Sequence, residues 1–261
     1  MDVALIIPNY NNEKYLEKCL KSVINQSRLP DEVIIVDDCS SDSSRNIIDE
    51  YCNQYSFFRK MYNEINQGVS ITRHKGILAS DSEYITTLDA DDYYLNTKKI
   101  ENEVNLINKI SKKGKDNIIA YSNITSVNDS GEKLKTEFNN FNSKEGNIYE
   151  NILLRSMPIP RDFIFPKRIY MDLGGFSDIP LFEDWDLKIK LAKKCKFYYT
   201  NELGVAYRQH SSGLSSQSKS KVLFWLLKVF FQNITSVELH KKIRLTKIFI
   251  FNFIKTNLIN K

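Results

Sequence analysis

Over roughly the first ninety residues, short apolar runs alternate with polar stretches whose apolar positions recur at helical spacing. Val3 to Ile7 is a continuous apolar run ending at Pro8, the pattern of a strand buried on both faces. Behind Asn11 or Asn12 as a cap, Tyr15, Leu16, Cys19, Leu20 and Val23 line one side of a helix. Glu32 to Val36 predicts a second buried strand, stopped by Asp37-Asp38, and the serine-rich cluster after it caps a helix through Ile47, Ile48 and Tyr51. A third strand over Phe57 to Tyr62, a helix over Ser70 to Ala79 and a fourth strand over Tyr84 to Leu88 complete a βαβαβαβ pattern. That alternation implies a parallel sheet covered by helices and joined by right-handed crossovers.

The second half is less regular. Ile118 to Ser122 and Lys133 to Phe138 flank the turn Asn128-Asp129-Ser130-Gly131 and predict a strand pair. Helical patterns follow over Gly146 to Leu154 and Asp184 to Lys194, and a strand pattern over Gly204 to Arg208. With no repeat and no Pro- or Gly-rich linker, the simplest partition is one α/β body over 1–216, with halves 1–95 and 96–216, and a tail over 217–261. The tail holds the apolar segments Val222 to Leu227 and Ile248 to Ile254, both flanked by lysines and both read as helices.

Charge sharpens this partition. From Lys219 onward nine Lys and Arg face the single acid Glu238, a net +8, so the body carries −3 of the total of +5. A mildly acidic body excludes a nucleic-acid face spread over the whole protein. The tail is open to two readings: helices packed on the body, or an interfacial pair on an anionic membrane, where each Lys or Arg contributes about 1 kcal/mol. The four cysteines show no CxxC spacing, and the run after Met1 lacks the basic flank and length of a leader, so a reduced, cytoplasmic protein is expected.

Ligands of open parallel sheets bind at the carboxyl ends of the strands, and there the polar clusters fall. They are Pro8-Asn9-Tyr10-Asn11, Asp37-Asp38, Asn66-Gln67-Gly68 and Asp89-Ala90-Asp91-Asp92. Neither GxGxxG nor GxxxxGK occurs, so a dinucleotide oxidoreductase or P-loop enzyme would lack its phosphate cradle. Closely spaced carboxylates offer another route, since hard oxygen ligands hold Mg²⁺ or Mn²⁺ against a diphosphate. Asp residues after a strand also serve as turn formers, but a second acidic strand end beside them favours the ligand reading.

Taken in order, Ile6-Ile7-Pro8-Asn9-Tyr10-Asn11, Val33 to Asp42, Asn66-Gln67-Gly68 with Arg73, Leu88 to Asp92, Gly174-Gly175-Phe176, Glu183-Asp184-Trp185-Asp186 and Tyr207-Arg208-Gln209-His210 resemble the motifs of the family 2 glycosyltransferases. The resemblance implies a GT-A fold, a mixed central sheet flanked by helices, and a metal-dependent inverting transfer of a sugar from a nucleotide-diphosphate donor. It places Pro8, Tyr10, Asp38, Gly68, Arg73, Asp89, Ala90 and Asp91 around the donor. Tyr10 lies against the base, Asp38 accepts from a uracil-like imide, and Arg73 holds the nucleotide half. Asp91 and His210 are implied as ligands of Mn²⁺ or Mg²⁺, with Asp89 beside them nearer the ribose or sugar and Asp92 behind. Asp184 is implied as the general base, which must accept the acceptor hydroxyl's proton. Glu183 is assigned to the acceptor or the loop, and Trp185 to the acceptor sugar or the core. Asp186 reads as a helix cap, and Gly174-Gly175 as a turn that could let backbone approach a sugar.

The expected partners are a nucleotide-diphospho-sugar, a saccharide or lipid-linked saccharide acceptor in capsule, lipopolysaccharide or other surface glycan synthesis, and a peripheral contact of 217–261 with the inner face of the plasma membrane. Homo-oligomerisation is left open. Two rivals remain: a sugar-1-phosphate nucleotidyltransferase, which needs a Gly-rich basic first loop that Pro8 to Asn11 lacks, and a non-catalytic glycan-binding scaffold.

Overall fold

The computed structural model describes residues 1–114, 116–134, 144–157, 159–177, 179–209, 218–235 and 237–254. Four parallel strands carry the first half: β1 (Val3–Asn9), β2 (Glu32–Asp37), β3 (Phe58–Tyr62) and β4 (Tyr84–Thr87). They alternate with α1 (Glu13–Ile24), α2 (Ser44–Gln54) and α3 (Val69–Ala79), as the pattern predicts. With the two-residue strand β7 (Phe165–Pro166) antiparallel to β4, the sheet runs β3-β2-β1-β4-β7. β5 (Tyr93–Tyr94), β6 (Ile118–Val127) and β8 (Lys196–Arg208) form a second sheet in the order β5-β8-β6.

Alternation along the strands divides the core in two. Val3, Leu5 and Ile7 of β1, with Val33 and Ile35 of β2, point to one face and meet Leu16 and Leu20 of α1 and Ile48 of α2. That face is closed by α4 (Lys99–Ser111), whose Ile100, Val104, Ile107 and Ile110 form a helical stripe. Ala4, Ile6, Ile34 and Val36 point the other way, against Ile77 of α3. Gly76 lets α3 lie flat on the sheet there, because a Cβ would sit 2.5 Å from Cγ2 of Ile6.

The second face is covered by α5 (Tyr149–Leu153), α6 (Lys167–Asp172), α7 (Glu183–Ala192), α8 (Lys219–Ile234) and α9 (Leu239–Ile254). Leu226, Val229, Phe230 and Ile234 of α8, and Leu245 and Phe249 of α9, belong to the same apolar cluster as β1, and the Phe230 and Phe249 rings stack at 3.9 Å. Among the described residues, α8 and α9 of the basic tail therefore pack on the body along one side.

Several bounds differ from the sequence reading. α4 and α6 fall where no element is anticipated, although the apolar spacing of α4 is legible. β8 runs the full thirteen residues Lys196–Arg208, parallel to β6, because pairing with a long partner extends it beyond the apolar stretch at 204–208. Of the partner expected for Ile118 to Ser122, the described residues show an antiparallel bridge between Val127 and Lys133, and 135–138 lie outside the described residues. The helix expected over Gly146 to Leu154 is confined to Tyr149–Leu153.

Candidate active site

The carboxyl ends of β1, β2 and β4 and the start of α7 converge on one cleft. At the first two ends, Asn9 donates through Nδ2 to Asp37 (2.9 Å), and the Asp38 N–H donates to the Asn9 carbonyl (2.8 Å). Asp38 is buried, and its carboxylate accepts from Asn63 Nδ2 (2.8 Å) and from the N–H groups of Gln67 (2.9 Å) and Gly68 (2.8 Å). Its work in the free chain is to pin the turn that starts α3. Tyr10 stands half exposed beside this corner, open for a base to stack on. Pro8 and Ala90, both expected at the donor, are buried.

After β4, Asp89, Asp91 and Asp92 each offer a carboxylate oxygen, and these atoms lie within 4.8 Å of one another. Two arginines hold the cluster together against its own repulsion. Asp89 accepts from Arg73 (2.6 Å) and pairs with Arg161 (2.9 Å); Asp92 accepts from Arg161 (3.0 Å) and from the backbone N–H of Arg208 (2.8 Å). Burial would raise the Asp89 carboxyl, but Arg161 and Arg73 more than offset it and hold Asp89 below the ordinary carboxylate range. Asp92 goes the other way, raised well above that range by burial and by Asp91 and Asp89. Carboxylates this close are the hard-oxygen set that could take a divalent cation, Asp91 and Asp89 among them. His210, the implied third ligand, lies outside the described residues.

Across the cleft, α7 begins with Glu183 and Asp184. The residue before them, Phe182, adopts a left-handed backbone (φ 65°), a strained setting for a bulky side chain that turns the chain sharply into the helix. Arg73 reaches over from α3 and joins the two sides, bonding Glu183 at 3.2 Å as well as Asp89. The resemblance puts Arg73 on the nucleotide half; in the structure its buried guanidinium bonds these two acids. Glu183 is raised by burial and by neighbouring Asp184, against the pull of Arg73. Asp184 is half-buried and accepts from Lys188 one turn on (2.7 Å). Burial alone would raise it, but Lys188, Arg161 and Arg73 hold it well below the usual range, so it is ionised at neutral pH. Asp184, Lys188, Arg161, Arg73, Thr87 and Phe176 line one small pocket between the acid cluster and α7.

The acceptor side differs from expectation at Trp185, while Gly174 (φ 75°) meets nothing within 4 Å where a Cβ would be. Trp185 is buried in the core, and its Nε1 donates to the Ile152 carbonyl at 2.7 Å, so its ring is not available to a sugar. Gly175 (φ 69°) has no open space where a Cβ would be: Tyr170 Oη would lie 2.9 Å away and His74 3.1 Å, so this glycine serves packing. Asp186, read as structural, is buried and accepts from Ser177 Oγ (2.5 Å) and Asn233 Nδ2 (2.6 Å), tying α7 to α8.

Arg161, Lys188 and Arg208 were not singled out from the sequence as site residues. Arg161 is aimed by its surroundings: Thr87 Oγ1 donates to its carbonyl, Tyr207 Oη accepts its N–H (2.8 Å), and its guanidinium lies over the Tyr207 ring at 4.7 Å. Arg208 clamps the acid loop from β8, donating to the carbonyls of Asp91 (3.0 Å), Asn128 and Asp129 and stacking over Tyr15. The signal for Lys188 was present, since an acid and a lysine four apart on a helix face each other. None marked Arg161, whose partners lie about seventy positions upstream.

A doubly faced, largely parallel sheet with clustered carboxylates at its strand ends and an ionised acid on the opposite wall is an arrangement of the GT-A kind. Residues 4–170, well over half of the chain, match the model of Glycosyl transferase family 2, and the chain belongs to that family. EpsH of Bacillus subtilis (strain 168) is 41% identical over 91 residues, 35% of this chain and 26% of that protein. TuaG of the same organism is 36% identical over 96 residues, 37% of this chain and 38% of TuaG. The S. aureus TarS fragment 1–349, solved in complex with UDP-GlcNAc, superposes with a TM-score of 0.78 at 19% identity, covering 98% of this chain and 74% of that one. The matches thus span well under half the length of EpsH and TuaG, and the likeness to TarS is one of fold.

Proposed function

We propose that the chain is a metal-dependent, inverting glycosyltransferase that moves a sugar from a nucleotide-diphosphate donor, a UDP-sugar, to a saccharide or lipid-linked saccharide in the synthesis of a surface glycan. One observation carries the reading: an acid cluster able to hold a divalent cation faces an ionised carboxylate, Asp184, across a single cleft bridged by Arg73. TuaG is named for teichuronic acid biosynthesis, and TarS has been solved with UDP and with UDP-GlcNAc, which supports the donor class and the glycan setting. The 1–95 half serves the nucleotide and the 96–216 half the acceptor.

Tyr10 stacks on the base while Asp38 holds the Gln67-Gly68 turn beside it. Asp91, with Asp89 and His210, would hold Mn²⁺ or Mg²⁺, which supplies positive charge where the diphosphate develops negative charge on leaving. Asp184 accepts a hydrogen bond from the acceptor hydroxyl and aims its oxygen at the anomeric carbon. The new carbon–oxygen bond forms on the face opposite the departing diphosphate, which leaves with the bonding pair, and the configuration inverts. The hydroxyl proton passes to Asp184. Held ionised by Lys188, Asp184 is a weak base, so the proton moves late, once bond formation has made the hydroxyl acidic.

The test separates chemistry from binding. Asp184→Asn should lose about 10²- to 10⁴-fold in turnover of a UDP-sugar, the usual contribution of a positioned base, with UDP affinity nearly unchanged. Retention of more than about a tenth of the activity, a loss under 1.4 kcal/mol, would remove Asp184 from this role.

A further inference from the structure

Helices α8 and α9 bury one stripe each and leave the opposite stripe uncovered. On α9, Leu245 and Phe249 face the core, whereas Leu239, Ile243, Ile248, Ile250 and Phe251 are exposed, Phe251 at 65%. Phe224 and Phe231, seven residues apart on one side of α8, are exposed as well. A helix packed on a soluble body ordinarily turns polar residues outward. Here the outward face interleaves large apolar side chains with cations, Lys247 and Arg244 on α9 and Lys221 and Lys228 on α8. The carboxylates nearby are few: Arg244 pairs with Glu150, and Lys241 with Glu238 at the start of α9. Among the described residues Lys242 and Lys247 have no ion-pair partner.

Charge selects the occupant. A second copy would set one net +8 segment, Lys255 and Lys261 included, against another. An anionic lipid surface complements both features at once, taking the lysines at its headgroups and the apolar side chains at the acyl boundary. We propose that the outward faces of α8 and α9 form a docking surface for the anionic leaflet of a lipid bilayer. The pair is rigidly placed for this. Asn233 of α8 bonds Asp186, two residues beyond Asp184, and Tyr149 Oη donates to the Asn233 carbonyl. A membrane under α8 and α9 thus stands in a fixed orientation to the cleft, the arrangement a lipid-held acceptor requires. The docking itself is independent of the glycosyl-transfer reading.

The experiment is co-sedimentation of the full chain with vesicles of phosphatidylglycerol and phosphatidylcholine, and of phosphatidylcholine alone, at low and high salt. Two exposed-residue variants accompany it, Lys221→Gln/Lys247→Gln and Ile243→Ser/Phe251→Ser, with light scattering for mass and UDP binding as the control for folding. Binding to the anionic vesicles that falls with salt is expected, weakened about fivefold for each lysine removed. About tenfold or more should be lost for each large apolar side chain removed. UDP binding should be unchanged throughout. Equal retention in the supernatant with both lipids would overturn the proposal. So would a dimer in light scattering that Ile243→Ser/Phe251→Ser converts to monomer, which would assign the face to a second copy. Loss of UDP binding in the unmodified chain would strike the proposed function and leave this one standing.

Discussion

Replacing Arg73 by methionine removes a guanidinium that bonds both walls of the cleft, and the structure sets the cost. The Arg73 side chain is 3% exposed and compensates Asp89 at 2.6 Å and Glu183 at 3.2 Å. Breaking a buried pair by removing one partner costs about 3–5 kcal/mol, because the orphaned charge stays behind. Two features pull this toward the lower end: Asp89 keeps Arg161 at 2.9 Å, and Glu183, already raised by burial, can take up a proton. A loss near 3 kcal/mol at neutral pH, or about 6–12 °C in melting temperature for a chain of this size, is expected from urea and thermal denaturation. Adding Glu183→Gln should recover at least about 1 kcal/mol of it, since the second substitution removes the charge that the first left unpaired. An Arg73→Met variant within about 1 kcal/mol of the parent, or a double variant no more stable than additivity allows, would refute this account of Arg73.

Two other substitutions test single contacts. Trp185→Phe removes one of two donors to the Ile152 carbonyl, which keeps the Arg155 N–H at 3.1 Å, and should cost about 0.5–1.5 kcal/mol in stability with the acceptor KM unchanged; a raised KM at unchanged stability would restore Trp185 to the sugar. Lys188→Met takes away the cation that depresses Asp184 while leaving the burial that raises it. Because Asp184 must be ionised to accept a proton, the acid limb of kcat/KM should move to higher pH in this variant, and a limb that stays in place would contradict the role of Lys188.

How far this could be read from the chain depended on where the determining contacts lie. β1 and β2 are buried on both faces, so each reads as an apolar run, and β1, β2 and β4 end where polar residues collect; that is why Tyr10, Asp38, Asp89 and Asp91 could be placed at one edge. β5 and β7 are two residues long and exist only because a neighbouring strand is there to pair with. Trp185 is amphipathic, and nothing local tells a core indole from a stacking one; the Ile152 carbonyl, 33 positions away, decides it. Arg161 and Arg208 act across 69 and 117 positions, beyond the reach of any spacing rule. The tail shows both outcomes in one segment: its apolar spacing marks two helices, and only the packed structure separates the stripe that joins the core from the stripe that stays exposed.

The central claim is that these strand ends hold a nucleoside diphosphate through a divalent cation, and it is tested most directly by thermal denaturation of the chain with UDP and other nucleoside diphosphates, with and without Mn²⁺. A ligand that binds only the folded state at a hundred times its Kd adds about 2.7 kcal/mol. The account requires that UDP with Mn²⁺ stabilise the chain by this order, that UDP alone do so less, and that Asp91→Asn lose the metal-dependent part. No stabilisation by any nucleoside diphosphate, or a shift that neither Mn²⁺ nor Asp91→Asn alters, would contradict it.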